Sequence, residues 1–260
     1  MSTTEIPVIT EKHERVDALD VFNHLKTRIR ETEAKGEKPV IVYDMDGTLF
    51  DNRSRVMKII ADMIMTPEGR ALDKSIIQKI ATIKARNMKY GIKDTLRAHG
   101  IEDEKVLDWF QQGWTERFFT NEFVMFDVPV LGAKKFVDDL YNFGVISVYL
   151  TGRDTPGMRA GTERSLAMHE FPAPRGDQTF LITKPTFEQS DIEYKMEAIE
   201  KLKEMGTVIA VFDNEPKPMN ILARAFPEAN SYFLETLHST DHETLDEGIQ
   251  LMKNFFILDE

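Results

Sequence analysis

The chain reads as an α/β fold, a Rossmann-like parallel sheet flanked by helices, with a mainly helical cap inserted after the first strand. Three observations predict it. Short unbroken apolar runs, PVIVY, VISVYL, TFLIT and TVIAVF, suit strands buried on both faces. Longer segments with helical periodicity separate these runs, and one long helical stretch follows directly on the first of them.

From Glu14 to Glu33, Val16, Leu19, Val21, Phe22, Leu25 and Ile29 mark a helix packing on the core, and Gly36 and Pro39 divide it from the first strand. That strand begins at Pro39 and runs into Asp44. The stretch from Asn52 to Phe126 reads as helical throughout. Val56, Met57, Ile59, Ile60, Met63 and Ile64 form one periodic set, and Leu72, Ile76, Ile77, Ile80 and Ile83 form another beyond Pro67 and Gly69. A further helix is predicted from Glu102 to Phe119. Residues 52–126 are therefore expected to form the cap, and residues 1–51 with 127–260 the core. Of Trp109, Phe110, Trp114, Phe118 and Phe119, each is expected to serve the cap's own core before it lines a lid.

The chain re-enters the core at Pro129. A helix from Gly132 to Phe143, ended by Gly144, precedes VISVYL, and a helix from Thr155 to Glu170 precedes the loop of Pro172, Pro174 and Gly176. TFLIT, a helix over DIEYKMEAIEKL, TVIAVF and the strand SYFLE follow. A last helix is expected from Asp241 to Phe256, carrying Leu245, Ile249, Leu251, Met252, Phe255 and Phe256.

The strand over residues 39–43 ends on DMDGT. Alternation puts Asp44 and Asp46 on one side, at the carboxyl edge where parallel sheets bind ligands. A carboxylate there can attack phosphorus, its neighbour can carry the proton, and both suit a hard cation. Asp44 is accordingly the candidate nucleophile and Asp46 the candidate acid/base. Gly47 lets the chain leave the strand tip, and Thr48 offers a hydroxyl for substrate.

DMDGT followed by Leu49-Phe50 resembles the first motif of the haloacid dehalogenase-like superfamily of aspartate-nucleophile phosphatases. Thr151-Gly152-Arg153 after VISVYL resembles the second, which implies that Thr151 binds the transferring phosphoryl group with Gly152 and Arg153 beside it. Arg153 is either a phosphate ligand or the partner of an acidic neighbour. The third motif is a lysine. Lys184, in LITKP, and Lys195, after Tyr194 at the head of a helix, are the two candidates; Lys195 resembles the family arrangement more closely, and Lys184 is kept as a substrate contact. Asp213, ending TVIAVF, resembles the fourth motif. The family pattern then implies Mg2+ held by Asp44, Asp213 and the Asp46 carbonyl. Asn214 and Glu215 depart from the commoner pair of aspartates.

The resemblance implies hydrolysis of a small phosphomonoester through an aspartyl-phosphate. An aspartate at position 46 favours this over dehalogenase, phosphonatase or ATPase chemistry. Transfer to an acceptor alcohol, or a non-catalytic binding role, are the alternatives. A formal charge of −11 disfavours a long nucleic-acid partner, and the absence of cysteine excludes disulfides and thiolate sites. The first twenty residues do not read as a signal peptide and no run suffices for a membrane span, so a cytoplasmic protein is expected, with its oligomeric state open.

Overall fold

In the computed structural model, residues 8–239 and 243–258 are described. The core is built on β1 (Arg15–Val16), α1 (Ala18–Ala34), β2 (Pro39–Tyr43), α7 (Ala133–Asn142), β5 (Ile146–Asp154), α8 (Thr155–Met168), β6 (Thr179–Lys184), α9 (Asp191–Met205), β7 (Thr207–Asp213), α10 (Pro216–Ala225), β8 (Asn230–Leu234) and β9 (Gln250–Met252). Seven of these are strands of one sheet in the order β1-β9-β8-β7-β2-β5-β6, and every neighbouring pair is parallel. The interior strand β2, between β7 and β5, is the one that carries the DMDGT turn. All five of its residues are buried, which is why the sequence shows an unbroken apolar run rather than alternation.

Each face of the sheet has its own apolar layer. Ile41 and Tyr43 pack with Leu25, Ile29, Phe136 and Leu140 on one side; Val40 and Val42 pack with Ala198, Leu202, Met219 and Leu222 on the other. The helix α1 is started by Asp17, whose carboxylate accepts from the Asp20 amide at 2.9 Å, and it buries Val21, Leu25 and Ile29.

Between the first strand tip and the return to the core, the chain forms β3 (Phe50–Asp51), α2 (Arg53–Met65), α3 (Pro67–Arg70), α4 (Lys74–Ile80), α5 (Ile92–Ala98), α6 (Glu104–Phe118) and β4 (Val128–Pro129). β3 and β4 pair antiparallel, Phe50 opposite Pro129, so the outgoing and returning chains are joined as a two-stranded ribbon. The helices between them share a separate apolar cluster that includes Ile59, Met63, Leu96, Leu107 and Phe110.

Three expectations are corrected. The segment from 52 to 126 is not helical throughout: α4 ends at Ile80, and apart from a short 3-10 turn over Ala85–Asn87 the chain is irregular until α5, anchored by the buried Ile83 and Met88. The expected tail helix is also absent. Its first two residues, 241 and 242, lie outside the described residues; beyond them Gly248 turns with φ +90°, and Gln250–Met252 becomes β9, inserted between β8 and β1. Ladder pairing at that position outweighs the helical spacing of Leu245, Ile249 and Met252. Finally, the helix expected from Glu14 begins only at Ala18: Arg15–Val16, placed at its head, pair with Leu251 and Met252 as the edge strand β1, while α10, opened by Pro216 and burying Met219 and Leu222, went unread. Among the described residues, no helix is long and apolar enough to cross a membrane.

Candidate active site

The carboxyl ends of β2, β5 and β7 meet beneath the helical insertion, and a cavity of about 320 Å3 lies between them. Asp44 follows the last residue of β2, its amide tied to the carbonyl of Phe212 at 2.8 Å, so its backbone is fixed by the sheet. The chain then turns sharply. Gly47 has φ +86°, donates to Phe50 O, and accepts at its own carbonyl from the Thr236 hydroxyl. A Cβ at Gly47 would lie 2.2 Å from Asn214 Nδ2, so both backbone conformation and space require glycine.

Lys195, in the second turn of α9, is 3 % exposed and donates to Asp44 Oδ1 at 3.1 Å and to Asp213 Oδ2 at 2.5 Å. Burial alone would lower its pKa, but the Asp213 and Asp44 carboxylates outweigh burial and hold the ammonium charged. Asp44 is pushed well above the usual carboxylate range, by burial first, with Lys195 opposing and Asp213 and Asp46 adding to the rise. Lys184 lies elsewhere. It pairs with Asp191 at 2.8 Å and donates to the carbonyls of Phe187 and Gln189, bracing the loop ahead of α9 instead of facing Asp44.

Asp46 has a different environment from its neighbour. Arg153 donates to it at 2.7 and 3.0 Å, and Arg55 at 2.7 Å. Burial favours the neutral acid, but the two guanidinium groups outweigh it and hold Asp46 well below the usual carboxylate range. Both arginines also bind Asp127, whose side chain is fully buried, Arg153 at 2.7 Å. Of the two readings of Arg153, the acidic pairing is therefore present.

Thr151 and Gly152 line the cavity, but β5 continues past them to Asp154 with a register shift, so Thr151 is within the strand and not at its end. Gly152 sits close to α9: a Cβ there would lie 3.0 Å from the Asp191 carboxylate, which would have to move aside. Thr48 is fully buried and does not line the cavity. Its hydroxyl donates to Asn214 Oδ1 at 3.2 Å, while Asn214 Nδ2 donates to the Leu237 carbonyl. The amide that departs from the family pattern thus clamps the DMDGT turn to the loop after β8. Glu215 lines the cavity and accepts from the amide and hydroxyl of Ser239.

Sequence reasoning missed Arg55 and Asp127. Arg55 lies four residues before Ile59 and eight before Met63, on the buried face of α2, and a charge on an apolar stripe demands a buried partner. That was a readable signal. Asp127 lies 72 residues from Arg55, and nothing local announces the pairing.

No group of three or more His, Cys, Asp or Glu side chains arranged to hold a metal occurs among the described residues. The expected Mg2+ donors are instead two carboxylates and a main-chain oxygen, hard donors that suit a divalent cation: Asp44 and Asp213 converge from two strand tips on the Lys195 ammonium in a largely buried setting.

No family model and no curated protein matches the sequence. Among solved structures, a proposed phosphatase from Clostridium difficile superposes with a TM-score of 0.53 at 13% identity, over 84% of this chain and 94% of that one. A proposed haloacid dehalogenase-like hydrolase from Bacteroides fragilis covers 83% of this chain and 97% of its own at 13% identity, TM-score 0.46. A predicted phosphoglycolate phosphatase from Haemophilus somnus covers 83% and 94% at 11% identity, TM-score 0.47. The first of these likenesses establishes a shared fold.

Proposed function

We propose that this chain is a haloacid dehalogenase-like phosphatase that hydrolyses a small phosphomonoester through an aspartyl-phosphate on Asp44. The observation that carries the reading is the Asp44 carboxylate at the tip of β2, opening on the cavity with the Lys195 ammonium 3.1 Å from one oxygen. In the first half-reaction Asp44 forms a bond to phosphorus as the ester P–O bond breaks, and Asp46 gives a proton to the departing alkoxide. Water then attacks the same phosphorus, Asp46 takes its proton, and Asp44 is released with inorganic phosphate.

Lys195, the Thr151 hydroxyl and the neighbouring main-chain amides would meet the charge on the phosphoryl oxygens. Mg2+, held by Asp44, Asp213 and the Asp46 carbonyl, would supply further neutralisation of that charge. The Asp46 carboxylate, held ionised by Arg153 and Arg55, has an oxygen lone pair to take the proton in the second half-reaction. A bound phosphate dianion competes for Arg153, which lines the cavity, and that competition raises the proton affinity Asp46 needs in the first. Residues 52–126 act as the cap, which excludes water from the cleft; 1–51 and 127–260 form the catalytic core.

The test is phosphate release from a panel of phosphomonoesters that includes a generic aryl phosphate, with Mg2+ or with chelator. Wild type is expected to be active only with the cation, and Asp44→Asn to lose about 10³-fold or more while keeping its fold. Activity of Asp44→Asn near that of wild type would overturn the nucleophile assignment.

A further inference from the structure

The cavity is not uniform. Its floor is the Asp44 end already described, whereas its roof on the insertion is aromatic. Trp114 and Phe118 stack with centroids 4.5 Å apart, and Phe119 meets both edge-on at 5.4 and 5.0 Å. All three are half-buried and line the cavity, while Phe110 one turn earlier is fully buried in the cluster of the insertion. The aromatic group of α6 and its C-cap Phe119 thus divides, one part serving the insertion's own packing and the other presenting rings to the cleft. Facing the same space are the amide of Gln111 and the phenol of Tyr90, on a loop pinned where Lys89 N donates to the Thr95 hydroxyl at 3.0 Å.

We propose that this roof binds the alcohol part of the substrate, and that the alcohol carries a planar heteroaromatic ring, as in a nucleoside monophosphate. The inference rests on the phosphatase reading for its floor, but the roof stands on its own geometry. A ring system offers aromatic faces to Trp114 and Phe119 and heteroatoms to Gln111 and Tyr90, a combination that a bare sugar phosphate leaves largely unused. An acyl chain would offer no polar atom to the Tyr90 phenol or to the Gln111 amide, whose Nε2 donates to the Thr115 hydroxyl at 3.4 Å. The ring can come from a free mononucleotide or from the phosphorylated end of an oligonucleotide, and the net charge of −11 disfavours only long polyanions.

The experiment compares adenosine 5'-monophosphate, ribose 5-phosphate and a 5'-phosphorylated trinucleotide in wild type, Trp114→Ala and Tyr90→Ala. Tyr90 is 53% exposed, so its variant tests the roof without burdening the fold. The expected result is a kcat/KM ratio of nucleotide to ribose phosphate of about tenfold or more in wild type, on the scale of one base stacking on one ring, and its collapse in Trp114→Ala. Turnover of the trinucleotide as well as, or instead of, the mononucleotide would support the ring site equally and name the source. A ratio near one in wild type, or a ratio unchanged in both variants, would overturn the proposal. Equilibrium binding to Asp44→Asn separates the two readings. Selective binding of the nucleotide over ribose phosphate, lost in the double variant with Trp114→Ala, upholds the ring site even if no phosphate is released from any compound. Equal or absent binding of both overturns it.

Discussion

Replacing Arg55 with methionine keeps much of the volume and removes the charge from a side chain that is fully buried on α2. Arg55 donates to both oxygens of Asp127, to Asp46 at 2.7 Å and to the Phe118 carbonyl at 3.1 Å, and its guanidinium lies 4.2 Å from the Phe118 ring centroid. In the variant, Arg153 must serve Asp46 and Asp127 alone. Losing one partner of a buried ion pair costs about 3–5 kcal/mol, because the remaining charge keeps its desolvation penalty. For a chain of this length that is a fall in melting temperature of roughly 6–20 °C.

The pH dependence gives the sign. Burial already lifts Asp127 above the usual carboxylate range, the arginines opposing, and without Arg55 it rises further. A carboxyl raised in the folded state favours folding at low pH and loses that contribution as pH rises through its folded value. The penalty of Arg55→Met is therefore expected to be largest near neutrality and to shrink under acid conditions. Urea titrations of both proteins at pH 5 and pH 8 measure it. A difference below about 1 kcal/mol at pH 8, the scale of an exposed pair, would refute the view that Arg55 is the charge that makes a buried Asp127 tolerable.

Two further outcomes are expected. Lys195→Met leaves Asp44 and Asp213 facing one another without their shared cation, so steady-state kinetics should show kcat lowered about 100-fold or more, the scale of a lost electrostatic group in a dry site; a change below threefold would contradict its role. Gly47→Ala places a Cβ 2.2 Å from Asn214 Nδ2 at φ +86°, and thermal melts should show a loss of about 1–3 kcal/mol.

The central strands were legible because burial on both faces leaves no alternation to disguise them, and because each apolar run stops abruptly at a polar tip. Asp44 and Asp213 could be read from those stops, and the structure brings them together with Lys195. Distance in the sequence hid the rest. Nothing near Arg55 or near Asp127 predicts that the two meet, and β1, with two residues, is too short to show any period. The tail failed for the opposite reason: its apolar spacing was good enough for a helix, and only the vacant ladder between β8 and β1 decides for a strand.

The ribbon of β3 and β4 has a bearing on chimeras of this chain. Because the outgoing and returning backbones are paired at Phe50 and Pro129, the stretch between them leaves and rejoins the core at one joint, and it meets the core again where Asn121 accepts from the Gly161 amide. Another helical segment with matching ends could be grafted there without altering any strand of the main sheet. Arg55 limits that freedom. It enters five residues beyond Phe50 and completes the ion network around Asp46, so a transplanted segment that recognises a new compound must still bring its own arginine to that place.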